Sequence, residues 1–174
     1  MLRLFVLIAA SIGASATAVA ADDLPRRKSG LWALSVMPPG ASVPMTMQQC
    51  VDEKTDYVGA TMAQQSKACT SQTKRDGNRI VFDSICKLAP AGSKPGVGAT
   101  TATTRGVFVG DFRSSYTHET TTTFDPPKAG MKEGVTRGAA QWTGPCTAGM
   151  KAGDIMMSNG MKFNVNDYKM AGKK

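Results

Sequence analysis

The sequence carries one histidine, His118, and its neighbour Glu119 lacks the second histidine that a His-Glu-x-x-His zinc site needs. Ser114 and Ser115 lie close enough in sequence to be nucleophiles with His118 as base, yet no Gly-x-Ser-x-Gly elbow accompanies them. A serine hydrolase is therefore the weakest reading, and the chain is expected not to be an enzyme. Gly96-Val97-Gly98 sits in a proline-rich stretch without the strand and helix that a dinucleotide site requires, so no cofactor is expected.

Sulfur offers more. Met45, Met47, Met150, Met156, Met157, Met161 and Met170 are many thioethers for a chain with so few leucines, and soft sulfur suits copper(I). Met45 and Met47 flank one residue on an extended segment and project to the same side, so both can reach one ion. Met156, Met157 or Met161 would complete such a site if the two groups meet. The plainer reading makes methionine a flexible core filler. Aromatic residues raise a third possibility: Trp32, Phe82, Phe112, Tyr116 and Trp142 line the concave side of a sheet and hold a small apolar ligand, or else they are simply its core.

The four cysteines contain no Cys-x-x-Cys pair, which argues against a redox motif or a zinc ribbon and for structural disulfides. Four cysteines allow three connectivities, and a local turn selects one. If Gly77-Asn78 is a two-residue hairpin loop, facing positions sum to 155, and Cys69 and Cys86 oppose each other. Cys50 and Cys146 then form the second bridge.

The elements that must position these groups are strands. Gly30 to Val36 places Trp32, Leu34 and Val36 on one face before Pro38-Pro39-Gly40 breaks it. Extended chain follows to Cys50, then a short helix capped by Thr55 or Asp56 and running to Gln65, with Tyr57, Val58 and Met62 on one stripe. The Cys69–Cys86 hairpin puts Ile80, Phe82, Cys86 and Leu88 on one face, ahead of a loop around Pro90 to Gly98. A longer hairpin over Thr100 to Phe124 turns at Gly110-Asp111, with Val107, Val109, Phe112 and Tyr116 inward. Pro126 and Pro127 close it, Lys132-Glu133-Gly134 turns again, and Val135 to Trp142 returns. A last hairpin turns at Asn159-Gly160. The threonines at Thr100 to Thr104 and Thr120 to Thr123 fit solvent-facing strand positions.

The start of the chain reads as an export signal. Met1-Leu2-Arg3 precedes an apolar run from Leu4 to Ile12, and small residues then offer cleavage after Ala20 or Ala21. The apolar core is about ten residues, half of what a bilayer crossing needs. The expected organisation is a signal peptide over 1–21 and a single domain over 22–174, periplasmic or secreted, with no transmembrane segment after cleavage. Leu, Ile, Val and Phe make up only about 14% of that domain, a range in which chains struggle to bury enough core, so disulfides are expected to compensate. The formal charge of +8 falls by one when Arg3 is removed. Arg26-Arg27-Lys28 and Lys169, Lys173 and Lys174 cluster at the two ends, where they attract an anionic envelope component or serve as solvated tails. Without interleaved aromatics they predict no specific nucleic-acid partner.

Gly30-Leu31-Trp32, Met45 to Cys50, Cys69 followed by Gly77-Asn78 and Cys86, Gly110-Asp111-Phe112, Gly144-Pro145-Cys146 and Gly153-Asp154 together resemble an uncharacterised bacterial periplasmic family, domain of unknown function 3617. Ala33 departs from that pattern, which has glutamate after the tryptophan, so no carboxylate role carries over to this position. The resemblance implies periplasmic residence and a disulfide-bonded β domain, and brings no activity. The fold class expected is mainly β: an antiparallel meander forming a curved sheet or half-open barrel, with one short helix and two disulfides. The function expected is non-enzymatic periplasmic binding or an envelope-accessory role, the alternative being methionine-based copper(I) binding.

Overall fold

Gly77, at a φ of 57°, takes the left-handed conformation that a tight two-residue loop demands, and with Asn78 it reverses the chain between β3 (Cys69–Asp76) and β4 (Arg79–Leu88). The register that follows pairs Cys69 with Cys86 directly, and the two are bridged. The same antiparallel logic continues through β5 (Thr100–Gly110), β6 (Ser115–Lys128) and β7 (Met131–Gly144), each hydrogen-bonded to the one before. The computed structural model describes residues 24–56, 68–89 and 99–167. The export segment, most of the expected helix and the Pro90–Gly98 loop lie outside the described residues.

The meander is not continuous. β1 (Gly30–Met37) and β2 (Met45–Val51) form a hairpin, but β1 pairs on its other side with β7, and β2 pairs with β8 (Asp154–Met157), which leads into β9 (Lys162–Asn164). The order is β3-β4-β5-β6-β7-β1-β2-β8-β9, one open antiparallel sheet with β3 and β9 as its edges. A single helical turn at 165–167 is the helix within the described residues. The second disulfide, Cys50–Cys146, ties β2 to the chain just past β7 across the intervening β1.

Successive side chains of a strand point to opposite faces, so one set of alternate positions builds the core. Trp32, Val51, Ile80, Phe82, Phe108, Phe112, Tyr116 and Ala140 form one buried cluster, with Leu24, Leu34 and Trp142 packed against it. Trp32 and Tyr116 reach each other over small Ala140, their ring centroids 5.8 Å apart although β7 separates their strands.

Three local expectations are corrected. Phe108, not Val107 or Val109, faces inward on β5: it opposes Ile80 and is 1% exposed, whereas Val109 is 40% exposed. The reversal expected at Gly110-Asp111 instead spans Asp111 to Ser114, so Gly110 faces Tyr116 and Phe108 faces His118. The register thereby moves by an odd number of residues, which turns Phe108 inward and Val107 and Val109 outward. Lys132-Glu133-Gly134 lies inside β7, and the turn sits earlier, at Ala129-Gly130, both at positive φ. Pro126 and Pro127 lie within β6 rather than closing it, at the irregularity between Thr123 and Lys128 where the ladder to β7 slips and their missing N–H groups cost nothing.

Candidate functional site

The aromatic residues singled out in the sequence meet as a packed mass. Trp32 is wholly buried, and Phe112, Phe82 and Tyr116 are nearly so. Phe112 stacks on Tyr116 at 5.2 Å, Phe108 bridges Phe82 and Tyr116, and Trp142 is partly buried at the edge. Both indoles are anchored to the opening segment: Trp32 Nε1 donates to the Lys28 carbonyl at 2.8 Å and Trp142 Nε1 to that of Ser29 at 3.1 Å.

The basic cluster at the start of the domain is likewise spent on the fold. Arg27 is 4% exposed, and its guanidinium donates to Asp56 through Nε at 3.1 Å and Nη2 at 2.7 Å and to Gln49 Oε1 at 2.8 Å, while its backbone N–H also reaches Asp56. Burial works most strongly against its charge, but the hydrogen bond to Asp56 and the electrostatic and hydrogen-bonding influence of Tyr116 and Asp56 together outweigh it, holding it protonated. Burial likewise pushes the Tyr116 phenol up, with the Arg27 charge opposing. Lys28 Nζ lies 3.5 Å from the centre of the Trp142 ring, and Arg26 donates to the Lys54 carbonyl. Arg27 is therefore core rather than part of a surface basic cluster, and its partner Asp56, 29 residues away, is linked to it by no pattern in the sequence. Lys169, Lys173 and Lys174 lie outside the described residues.

His118 stacks on Phe108 at 5.1 Å with its Nδ1 buried and unpartnered, and burial lowers its pKa. Its ring fits because the facing residue on β7 is Gly138, where a Cβ would stand 2.2 Å from Cε1. Ser114 donates its hydroxyl to Asp111 at 2.6 Å within the β5–β6 turn, and Asp111 also accepts the backbone N–H groups of Arg113, Ser114 and Ser115. These bonds hold the Asp111 carboxyl well below its usual range, the Ser114 hydroxyl most of all. The serine is thus engaged in turn geometry. Glu119 pairs with Arg137 across the β6–β7 ladder.

Opposite the aromatic core the sheet carries a shallow trough of about 490 Å³ across β7, β1, β2 and β8. Each strand region contributes three residues in a row, and the outer two of each, such as Ala33 and Ser35 or Thr46 and Gln48, face away from Trp32. The middle ones, Leu34, Met47, Ala140 and Met157, line it from between them while their alternate set faces the core side. Small side chains at Ala33, Ser35 and Ala139 leave its floor low, and Gln48, Gln141 and Thr46 are exposed polar groups on its rim.

The two methionine groups do meet. Met47 is the register partner of Met157, and the Met157 N–H donates to the Met161 carbonyl at 2.8 Å. Met45 lies two positions from Met47 on the same face, while Met156 belongs to the opposite face and lines the trough. Among the described residues no three of His, Cys, Asp and Glu come together as a metal-binding group, and no helix is long and apolar enough to cross a membrane.

Among the described residues, an open sheet of nine antiparallel strands, pinned by Cys50–Cys146 and Cys69–Cys86, defines the class: a disulfide-bonded, mainly β domain. The chain belongs to a family of proteins of unknown function, DUF3617, whose model matches residues 27–146. The match takes in β1 to β7 and both bridges, and β8 and β9 lie beyond it. No curated protein and no solved structure matches the chain.

Proposed function

We propose that this is a non-enzymatic binding or accessory protein of the cell envelope, periplasmic or secreted after cleavage near Ala20 or Ala21, which holds a small apolar ligand in the trough. The observation that carries the reading is the trough itself, whose small-residue floor and polar rim suit a slender apolar molecule with a polar end. Engagement of Arg26, Arg27 and Lys28 with the protein's own groups favours an apolar ligand over an anionic envelope component. Of the aromatic residues, Trp32 on β1 and Trp142 on β7 belong to the trough's strands and back it from the other face.

Native mass spectrometry of protein purified from periplasm tests the idea. An adduct is expected that persists through mild desolvation and is lost in Ala139→Trp, which fills the floor from an exposed position without touching the core. A mass equal to the bare disulfide-bonded chain, unchanged across lipid extracts, overturns the proposal, as does an adduct indifferent to Ala139→Trp.

A further inference from the structure

Beyond the trough, the opposite face of the same strands carries a second chemistry. Met47 on β2 opposes Met157 on β8. The β8–β9 ladder pairs Ile155 with Phe163 and Met156 with Lys162, so its next step sets Met157 against Met161, as the 2.8 Å bond between them confirms. Three thioethers therefore run abreast over neighbouring strands, with Met45 one step along β2 on the same face. Directly opposed positions hold their Cβ atoms about 4.5–5.5 Å apart, within easy convergence for side chains with three rotatable bonds. Met45 and Met161 are 44% and 59% exposed, a wasteful placement for apolar side chains in a chain so short of core material. Met47 and Met157 are half-buried, giving the group an anchored inner pair and a solvent-reachable outer pair.

We infer that Met45, Met47, Met157 and Met161 form a binding site for a soft monovalent cation, copper(I) above all. Neutral thioethers select copper(I) by softness and offer little to harder divalent ions. No thiolate competes within the domain, because all four cysteines are consumed in disulfides. A thioether has no proton to lose near neutrality, so binding is flat with pH from about 5 to 8, unlike a histidine or thiolate site. Met45 and Met47 fall inside the family match and Met157 and Met161 after it, so the site spans the matched residues and the β8–β9 hairpin that follows them.

Met156 supplies an internal control, being adjacent in sequence but directed to the other face. Anaerobic titration of the intact, disulfide-bonded protein with copper(I) against a chromophoric chelator is expected to show competition. Met47→Leu and Met157→Leu, volume-conserving changes that preserve the fold, should each weaken it by about tenfold or more. Met156→Leu and a shift from pH 7.5 to 6 should leave it unchanged. Absence of competition by the parent protein overturns the assignment, as does a Met156→Leu loss equal to that of Met47→Leu, or full affinity in the Met47→Leu, Met157→Leu double variant. Occupancy of the trough is read separately by its adduct mass, so either site can fail without the other.

Discussion

At Arg27 a charge sits in the core on account of one carboxylate, and that dependence is directional. Removing Asp56 leaves a buried guanidinium with its main partner gone, so Asp56→Ala should lower unfolding stability by about 3–5 kcal/mol in urea titrations. The double change Arg27→Met, Asp56→Leu should cost less than the single one, because the charge leaves with its partner. His118 sets a second test. Burial lowers its pKa from 6.5, so between the folded value and 6.5 the unfolded chain binds more protons and stability rises with pH, levelling off above 6.5. Denaturation midpoints should therefore fall between pH 7 and 5, less steeply in His118→Gln. Asp154 acts lower on the scale. Lys162 above all, with the Lys151 N–H, holds its carboxyl at about 2, so its contribution is present above 3.8 and is lost only as pH falls toward 2. A second acid transition in that range, absent in Asp154→Asn, is the expected signature.

Among the elements, the sheet seats its aromatic rings by placing glycine across from them. Gly106 faces Phe82 and a Cβ there would stand 2.3 Å from Cε1, just as Gly138 makes room for His118. Gly106→Ala should therefore cost about 1–3 kcal/mol through overpacking, measured by thermal or urea unfolding, although alanine suits a strand no worse than glycine. Sequence patterns located most strands because alternation and turn chemistry are written in neighbouring residues. The Gly77-Asn78 hairpin came through with its register intact, as did the reversal between Ile155–Met157 and Phe163. The hairpin turning at Gly110-Asp111 is displaced, because the loop there runs from Asp111 to Ser114 and shifts the β5–β6 register by an odd number, which exchanges the faces of Phe108 and its neighbours Val107 and Val109.

For the molecule as a whole, the two disulfides do unequal work. Cys69 and Cys86 are 17 residues apart on a hairpin that forms locally, whereas Cys50 and Cys146 are 96 apart and secure the part of the sheet where β1 and β2 join β7. In the chain-entropy model the short bridge is worth about 3 kcal/mol and the long one nearly 5. The Cys50→Ser, Cys146→Ser variant should accordingly lose more stability than Cys69→Ser, Cys86→Ser, and full reduction should unfold the domain near physiological temperature, both read by circular dichroism. The sequence alone determined the β class, the hairpin register and, through it, both bridges, because those follow from turn residues and period-two patterning over short spans. Only the tertiary structure decided that β1 pairs with β7, that Arg27 is buried against Asp56, that the aromatic residues close into solid core, and that Met47 meets Met157. Each of those is a contact between segments distant along the chain, and the residues on either side carry no local mark of the partner that chain closure will bring.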